Sequence, residues 1–201
     1  FEKTMNSFLN CCTDLDRIDS WFCVDDNSSE EDRVKMKEKY PFFEFYFKTP
    51  QEKGHPRSMN IIRDKVKTPY IFHMEDDWQF ISKRKYISEC MDVLSQSANF
   101  GQCLVNRNYA ETERDFKILG GIENKTNAGT RFFIHEYCAT EEELNNFNIK
   151  YGNSPNCAYW KHFSFRPSLL IKHILTDLGA FDEKVSHFEM EYSSRYSQAG
   201  Y

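Results

Sequence analysis

The chain has 201 residues, of which 40% are hydrophobic and 16% aromatic, and its formal net charge is −5 at pH 7. This length and apolar content suit one folded domain and exclude a disordered chain. The negative charge and the absence of a dense Lys or Arg run argue against nucleic-acid binding. The sequence contains no apolar stretch of 18 residues, so no membrane span is predicted.

In its first half, the sequence alternates helical patterns with short apolar strands. Helices are predicted over 1–12, 29–40, 57–66 and 83–95, and strands over 20–24, 42–47, 70–74 and 100–105. The alternation predicts an α/β, Rossmann-like fold with a mixed, mostly parallel sheet flanked by helices. Because a strand ought to precede the first helix of such a domain, we expect the first strand to be missing from this chain.

The second half has a less regular pattern. Residues 106–156 mix strand-like and turn-like stretches with a short predicted helix over 140–147, which is where a substrate-specific insertion would lie. A strand is predicted over 159–165. Helices are predicted over 168–178, beginning after Pro167, and over about 188–199, ending at Gly200.

The seven cysteines are an odd number, and no two have the spacing of a zinc knuckle or a redox motif. Several lie in apolar settings. We therefore expect mostly free, buried thiols and a reducing, cytoplasmic location.

Two acidic clusters directly follow predicted strands. Asp25 and Asp26 follow the strand over 20–24, and Glu75-Asp76-Asp77 follows the strand over 70–74. Parallel strands end at the same edge of a sheet, which is where ligands bind. Three adjacent carboxylates repel one another, and Mg²⁺ or Mn²⁺ relieves that repulsion. The sequence predicts a nucleotide-and-metal crevice, although a solvated acidic turn would explain the second cluster taken alone. Neither a Gly-x-Gly-x-x-Gly motif nor a Walker loop is present.

Four segments, in the right order, resemble the family 2 type of inverting GT-A glycosyltransferases. They are Asp25-Asp26-Asn27-Ser28, Gly54 with Asn60, Glu75-Asp76-Asp77, and the stretch 178–201 with its Gly-Ala-Phe-Asp-Glu, Arg195 and Gly-Tyr elements. The sequence departs from the family pattern at Met59, where the family has Arg, and at Glu189, which stands at the position of the catalytic Asp.

The resemblance implies a single GT-A domain with a nucleotide-sugar half, 1–105, and an acceptor half, 106–201. It implies Mn²⁺ or Mg²⁺ as cofactor, a nucleoside diphosphate sugar (a UDP-sugar above all) as donor, and a glycan, protein or lipid-linked acceptor. The expected metal ligand is Asp77, assisted by Glu75 and Asp76, and the expected general base is Glu189. The expected donor contacts are Asp25, Asp26, Asp76, Arg57 and Asn60. The expected acceptor contacts are Trp78, Trp160, His162, His187 and Glu191.

Simpler roles stay open for several of these residues. Glu189 would also suit the first turn of a helix, Trp78 would suit a core, and His73 is expected to be a buried core histidine. Arg195 is expected to form a salt bridge. Two other functions also remain: a non-catalytic nucleotide-sugar or glycan-binding domain of the same fold, and a nucleotidyltransferase.

Overall fold

A computed structural model describes residues 1–106, 118–151 and 161–201. Within these ranges the α-helices are α1 (Glu2–Cys11), α2 (Glu30–Lys39), α3 (His55–Lys65), α4 (Tyr86–Leu94), α5 (Glu141–Tyr151), α6 (Lys172–Leu178) and α7 (Phe188–Gln198). The strands are β1 (Trp21–Asp25), β2 (Phe43–Phe47), β3 (Tyr70–His73), β4 (Gln102–Leu104), β5 (Ile118–Lys125), β6 (Arg131–Tyr137) and β7 (Ser168–Ile171). Short 3₁₀ turns cover Leu15–Arg17 and Pro50–Glu52.

Local sequence explains why these elements form. The Ser29 hydroxyl accepts a hydrogen bond of 3.2 Å from the backbone N–H of Asp32, which caps α2, and acidic residues occupy the first turn of that helix. The apolar side of α1 buries Met5, Phe8 and Cys11, as its helical spacing predicts. The predicted helices and strands of the first half are therefore confirmed to within a few residues.

The strands form three small sheets in a mixed α/β arrangement. β1 and β2 pair in parallel, β7 lies between β3 and β4 and is antiparallel to both, and β5 and β6 form an antiparallel hairpin. In the described ranges the only parallel pairing between strands is the two-stranded one.

The prediction of a mostly parallel sheet was therefore wrong. The reason is β7, which covers residues predicted to begin a helix after Pro167 and instead runs as a strand against β3 and β4. The helix begins only at Lys172. The strand predicted over 159–165 is not found at 161–165, and its first residues lie outside the described ranges.

The core lies on both faces of the β3–β7–β4 sheet. On one face, Ile71 and Leu170 pack with Met59 of α3 and Tyr192 of α7, together with the aromatic residues Phe163, Phe165 and Phe181. On the other, Phe72 packs with Phe8 of α1 and Ile87 of α4. Because neighbouring strand residues point to opposite faces, Ile71 and Phe72 connect the sheet to both layers.

The cysteines of the described ranges are free thiols. Cys11, Cys12, Cys90 and Cys138 are buried, and Cys23 and Cys103 are half-buried. Cys157 lies outside those ranges. Among the helices that the structure describes, none is both long enough and apolar enough to cross a membrane.

Candidate active site at the carboxyl ends of β1, β2 and β3

Asp25 is the last residue of β1, and its carboxylate bonds to other groups of the protein. Its carboxylate is buried, accepts a 3.1 Å hydrogen bond from the backbone N–H of Ser28, and pairs at 2.8 Å with Nε of Arg33. Arg33 also donates a 2.7 Å hydrogen bond to the carbonyl of Lys48. Asp25 therefore holds the ends of β1 and β2 and the start of α2 together, and these contacts leave its predicted role in donor binding without support.

Asp26, by contrast, has one side open to solvent and the other anchored by Lys48. Nζ of Lys48 lies 2.5 Å from Oδ1 of Asp26, and the same oxygen accepts a 2.8 Å hydrogen bond from the backbone N–H of Gly54. Partial burial on its own would raise the pKa of Asp26, but the bonds from Lys48 and Gly54 outweigh it and lower that pKa. The carboxylate is thus fixed and ionised at the mouth of the site.

The Lys48 side chain is completely buried and its ammonium group is satisfied. Besides Asp26, its Nζ donates 2.8 Å hydrogen bonds to the carbonyl of Gly54 and to Oγ of Ser58. Gly54 has φ of +132°, a conformation that residues with a Cβ rarely adopt. This buried lysine therefore connects the end of β2 to the loop before α3.

The acidic segment after β3 creates a concentration of negative charge. Asp76 and Asp77 are exposed, while Glu75 is partly buried, and burial together with the charges of Asp77, Glu189 and Asp76 raises the pKa of Glu75 to about 7. Nε2 of His55 lies 3.4 Å from Oε1 of Glu75. Burial lowers the pKa of His55, so its ring is neutral at pH 7 and does not cancel this charge.

Glu189 enters the same site from the other end of the chain. It lies in the first turn of α7, and its Oε1 accepts a 3.0 Å hydrogen bond from the backbone N–H of Phe165. The His55 ring, which lies 3.4 Å from Glu75, also packs on the ring of Phe165 with 4.9 Å between the centroids. The predicted metal motif and the predicted base therefore lie close together. Sequence alone could not have established that proximity.

Trp78 and Arg166 flank the acidic segment. The Arg166 guanidinium lies 5.7 Å from the centroid of the Trp78 ring, at cation–π distance. The indole N–H of Trp78 is buried and has no hydrogen-bond partner among the described residues. The structure thus places Trp78, a predicted acceptor contact, next to the acidic segment and in contact with Arg166.

Asn60 and Arg57 of α3 bond to protein groups. The Asn60 side chain donates a 3.0 Å hydrogen bond to the Phe181 carbonyl and accepts one of 2.8 Å from the Phe181 backbone N–H. Arg57 lies 3.4 Å from Glu183 and donates to the Gln51 carbonyl at 3.2 Å. Both side chains join α3 to neighbouring turns, including the turn before α7, so their surroundings favour positioning over contact with a donor.

The remaining candidates lie around α7 and the hairpin. Glu191 forms a double ion pair with Arg195, at 2.7 and 2.8 Å, which confirms the salt bridge expected of Arg195. His187 precedes α7 and contacts Ser186 Oγ at 2.9 Å. The His162 ring packs on Tyr137. Trp160 lies outside the described residues.

The carboxylates of the site fit a hard divalent cation in part. In the described ranges, no three His, Cys, Asp or Glu side chains are arranged to hold a metal ion. However, Mg²⁺ commonly binds one or two carboxylates and completes its shell with water and substrate phosphates. Burial, and after it the neighbouring negative charges, raise the pKa of Glu75, and a bound cation would favour the ionised carboxylate.

Sequence reasoning missed Lys48, His55 and Arg166. Lys48 directly follows β2, in the position that Asp26 has after β1, so its place at a strand end was the available signal. The other two carry no such signal, because their position depends on how α3 and the segment before β7 pack.

No protein-family model matches the chain, and a comparison with curated proteins likewise gives no match. The resemblance to glycosyltransferases is limited to the four sequence segments described above.

Proposed function

We propose that this chain is a metal-dependent, inverting glycosyltransferase of the GT-A type, which transfers a sugar from a nucleoside diphosphate sugar to an acceptor hydroxyl. The observation that carries the proposal is the proximity of the acidic segment Glu75-Asp76-Asp77 to Glu189. His55 contacts Glu75 and packs on Phe165, whose backbone N–H binds Glu189. Carboxylates brought together from two distant segments of a chain are typical of a functional site.

On the donor side, the chain supplies oxygen ligands and a fixed hydrogen-bond acceptor. Asp77, with Glu75 or Asp76, would hold Mn²⁺ or Mg²⁺, which neutralises the charge that develops on a departing diphosphate. Asp26 is held in place by Lys48 and Gly54 while keeping one side open, so it is suited to accept a hydrogen bond from the base of a UDP-sugar.

On the acceptor side, Glu189 is the proposed general base. It takes the proton of the acceptor hydroxyl while the new bond forms from that oxygen to the anomeric carbon. The bond from the anomeric carbon to the diphosphate breaks on the opposite face, and its electron pair leaves with the nucleotide, so the anomeric centre inverts. The hydrogen bond from Phe165 to Oε1 of Glu189 would hold the carboxylate in position.

Glu189→Gln tests this role. The amide keeps the size of the side chain and an oxygen for the Phe165 N–H, but it cannot take a proton, so kcat is expected to fall about 10²- to 10⁴-fold. Affinity for UDP in Mn²⁺ should change little. UDP release from a panel of UDP-sugars, with simple sugars as acceptors, measures turnover. Glu142→Gln, an exposed change in α5, is the control, and parental turnover by Glu189→Gln would contradict the assignment.

A further inference from the structure

Two of the free cysteines, Cys90 of α4 and Cys103 of β4, lie against each other. Sγ of Cys90 lies 3.9 Å from the carbonyl oxygen of Cys103. Both side chains belong to one apolar cluster with Leu94 and Leu169. A hydrogen bond with the Cys103 side chain, together with burial, raises the pKa of the Cys90 thiol well above its ordinary value. The two thiols are thus in direct contact.

The adjacent pair Cys11 and Cys12 has different surroundings. Sγ of Cys11 donates a 3.4 Å hydrogen bond to the carbonyl of Phe80, and Sγ of Cys12 donates one of 3.2 Å to the carboxylate of Asp14. Both of these thiols are therefore bonded to oxygen atoms, whereas the thiol of Cys90 has a second thiol as a partner.

The Cys103 thiol is the one of the pair that a small solute can reach. Cys90 is 4% exposed, whereas Cys103 is half-buried. Both residues line a cavity of about 1050 Å³ whose walls also include residues of the β5–β6 hairpin. In the described ranges β4 pairs only with β7, and all of Gln102–Leu104 lines this cavity, so Cys103 is approached along an edge of the sheet.

We propose that Cys90 and Cys103 are a redox-active pair, which hydrogen peroxide converts into a disulfide that joins α4 to β4. The thiolate of Cys103 attacks one peroxide oxygen, the O–O bond breaks, and Cys103 becomes a sulfenic acid while the other oxygen leaves as water. The sulfur of Cys90 then attacks the sulfur of Cys103, the S–O bond breaks, and a second water leaves with the Cys90 proton. The two sulfurs are oxidised and the peroxide is reduced. This inference does not depend on the proposed enzymatic activity.

The contact between the thiols suits this reaction. The sulfurs of a disulfide lie about 2 Å apart, and rotation about the Cα–Cβ bonds is the motion that closes two thiols already in contact. The bond would close the loop from α4 to β4 and restrict the unfolded chain, so the oxidised form should have a higher Tm. Because Oγ1 of Thr126 donates a hydrogen bond to the carboxylate of Asp92, the helix that the disulfide fixes is also the one that anchors the hairpin.

Peptide mass spectrometry tests the proposal. The 201-residue chain is reduced, freed of reductant, treated with hydrogen peroxide, alkylated and digested. The linkage of Cys90 to Cys103, with loss of two hydrogen atoms, is expected to exceed every other disulfide at least about tenfold, because contact raises the effective concentration of one thiol at the other. Dithiothreitol should reverse it. Cys23→Ala removes a half-buried thiol outside the pair and should leave the linkage unchanged.

Two variants test the order of the steps. Cys90→Ala should stop the reaction at the sulfenic acid of Cys103, which dimedone labels, whereas Cys103→Ala should leave Cys90 unlabelled. Sulfinic acid at Cys103 of the parent chain, without a linkage to Cys90, would overturn the proposal. So would a folded chain that forms the same set of disulfides as the chain in urea. That last comparison uses the parent chain alone, so it decides the question whether or not the variants fold.

Discussion

Lys48 is the residue on which the geometry of the donor side most depends. Its buried ammonium group satisfies Asp26, the Gly54 carbonyl and the Ser58 hydroxyl together. Lys48→Met keeps most of the side-chain volume but leaves these groups without their donor. We expect a loss of about 2–4 kcal/mol in the free energy of unfolding, measured by urea denaturation.

The matched control for this change is Lys35→Met. Lys35 forms an exposed pair with Glu31 one turn away on α2, and such pairs contribute little. A change within about 0.5 kcal/mol is expected for the control. If both variants lose the same free energy of unfolding, the buried contacts of Lys48 contribute no more to stability than the exposed pair of Lys35.

Glu75 gives the site a pH dependence whose sign is fixed by its raised pKa. The pKa is about 7 in the folded chain against an ordinary value of 4.5, so folding favours the protonated form. Its contribution to stability is complete below pH 4.5 and is lost as the pH rises through 7. Glu75→Gln removes this titration, so the variant should gain stability relative to the parent as the pH rises across that range.

The measurement is the free energy of unfolding of both chains at about pH 5 and about pH 8, without divalent cations. Glu38→Gln, an exposed change on α2, serves as the control and should follow the parent at both values. A parent and a Glu75→Gln variant that differ equally at the two pH values would show that Glu75 does not titrate in this range.

At the scale of elements, α7 packs against the sheet through Gly101, which precedes β4. A Cβ on Gly101 would lie 2.8 Å from Cδ1 of Ile174 and closer still to the hydroxyl of Tyr196 on α7. Because both neighbours are buried, Gly101→Ala is expected to cost about 1–3 kcal/mol of stability by forcing α6 and α7 outward. Urea denaturation measures this cost.

Gly120→Ala is the control for that prediction. A Cβ on Gly120 would meet only a carboxylate oxygen of Glu136 at 4.0 Å, an ordinary contact with the end of a flexible side chain. We therefore expect a change within about 0.5 kcal/mol. A Gly101→Ala variant as stable as the Gly120→Ala variant would mean that the contact between α7 and the sheet can relax without cost.

The elements also show where sequence reasoning succeeds and fails. α1 and α2 were predictable, because apolar spacing and an N-cap serine are local signals. β7 was not, since the run Leu169-Leu170-Ile171 is short, fully apolar and next to a proline, and such a run is compatible with either a helix or a buried strand. Pairing with β3 and β4, which are distant in the chain, decides the outcome.

For the whole molecule, the strand ends at which the candidate site lies were predictable from the sequence, but the side-chain contacts between distant segments of the site were not. Strand ends indicated Asp26 and the acidic segment after β3. A fully buried lysine was not expected, because lysine is almost always exposed unless it is paired, and its partners come from other segments. Likewise, the contact of Asn60 with the turn before α7 depends on packing across the whole chain.

The central claim, a nucleotide site that depends on a divalent cation, is tested most directly by calorimetric titration of UDP. A diphosphate that faces Glu75, Asp76 and Asp77 without a cation is repelled, so UDP should bind measurably in Mn²⁺ and at least about tenfold more weakly in EDTA. Asp77→Ala should lose the gain from Mn²⁺, while Asp177→Ala, an exposed change on α6, should keep it. Equal affinity for UDP in Mn²⁺ and in EDTA would contradict the account.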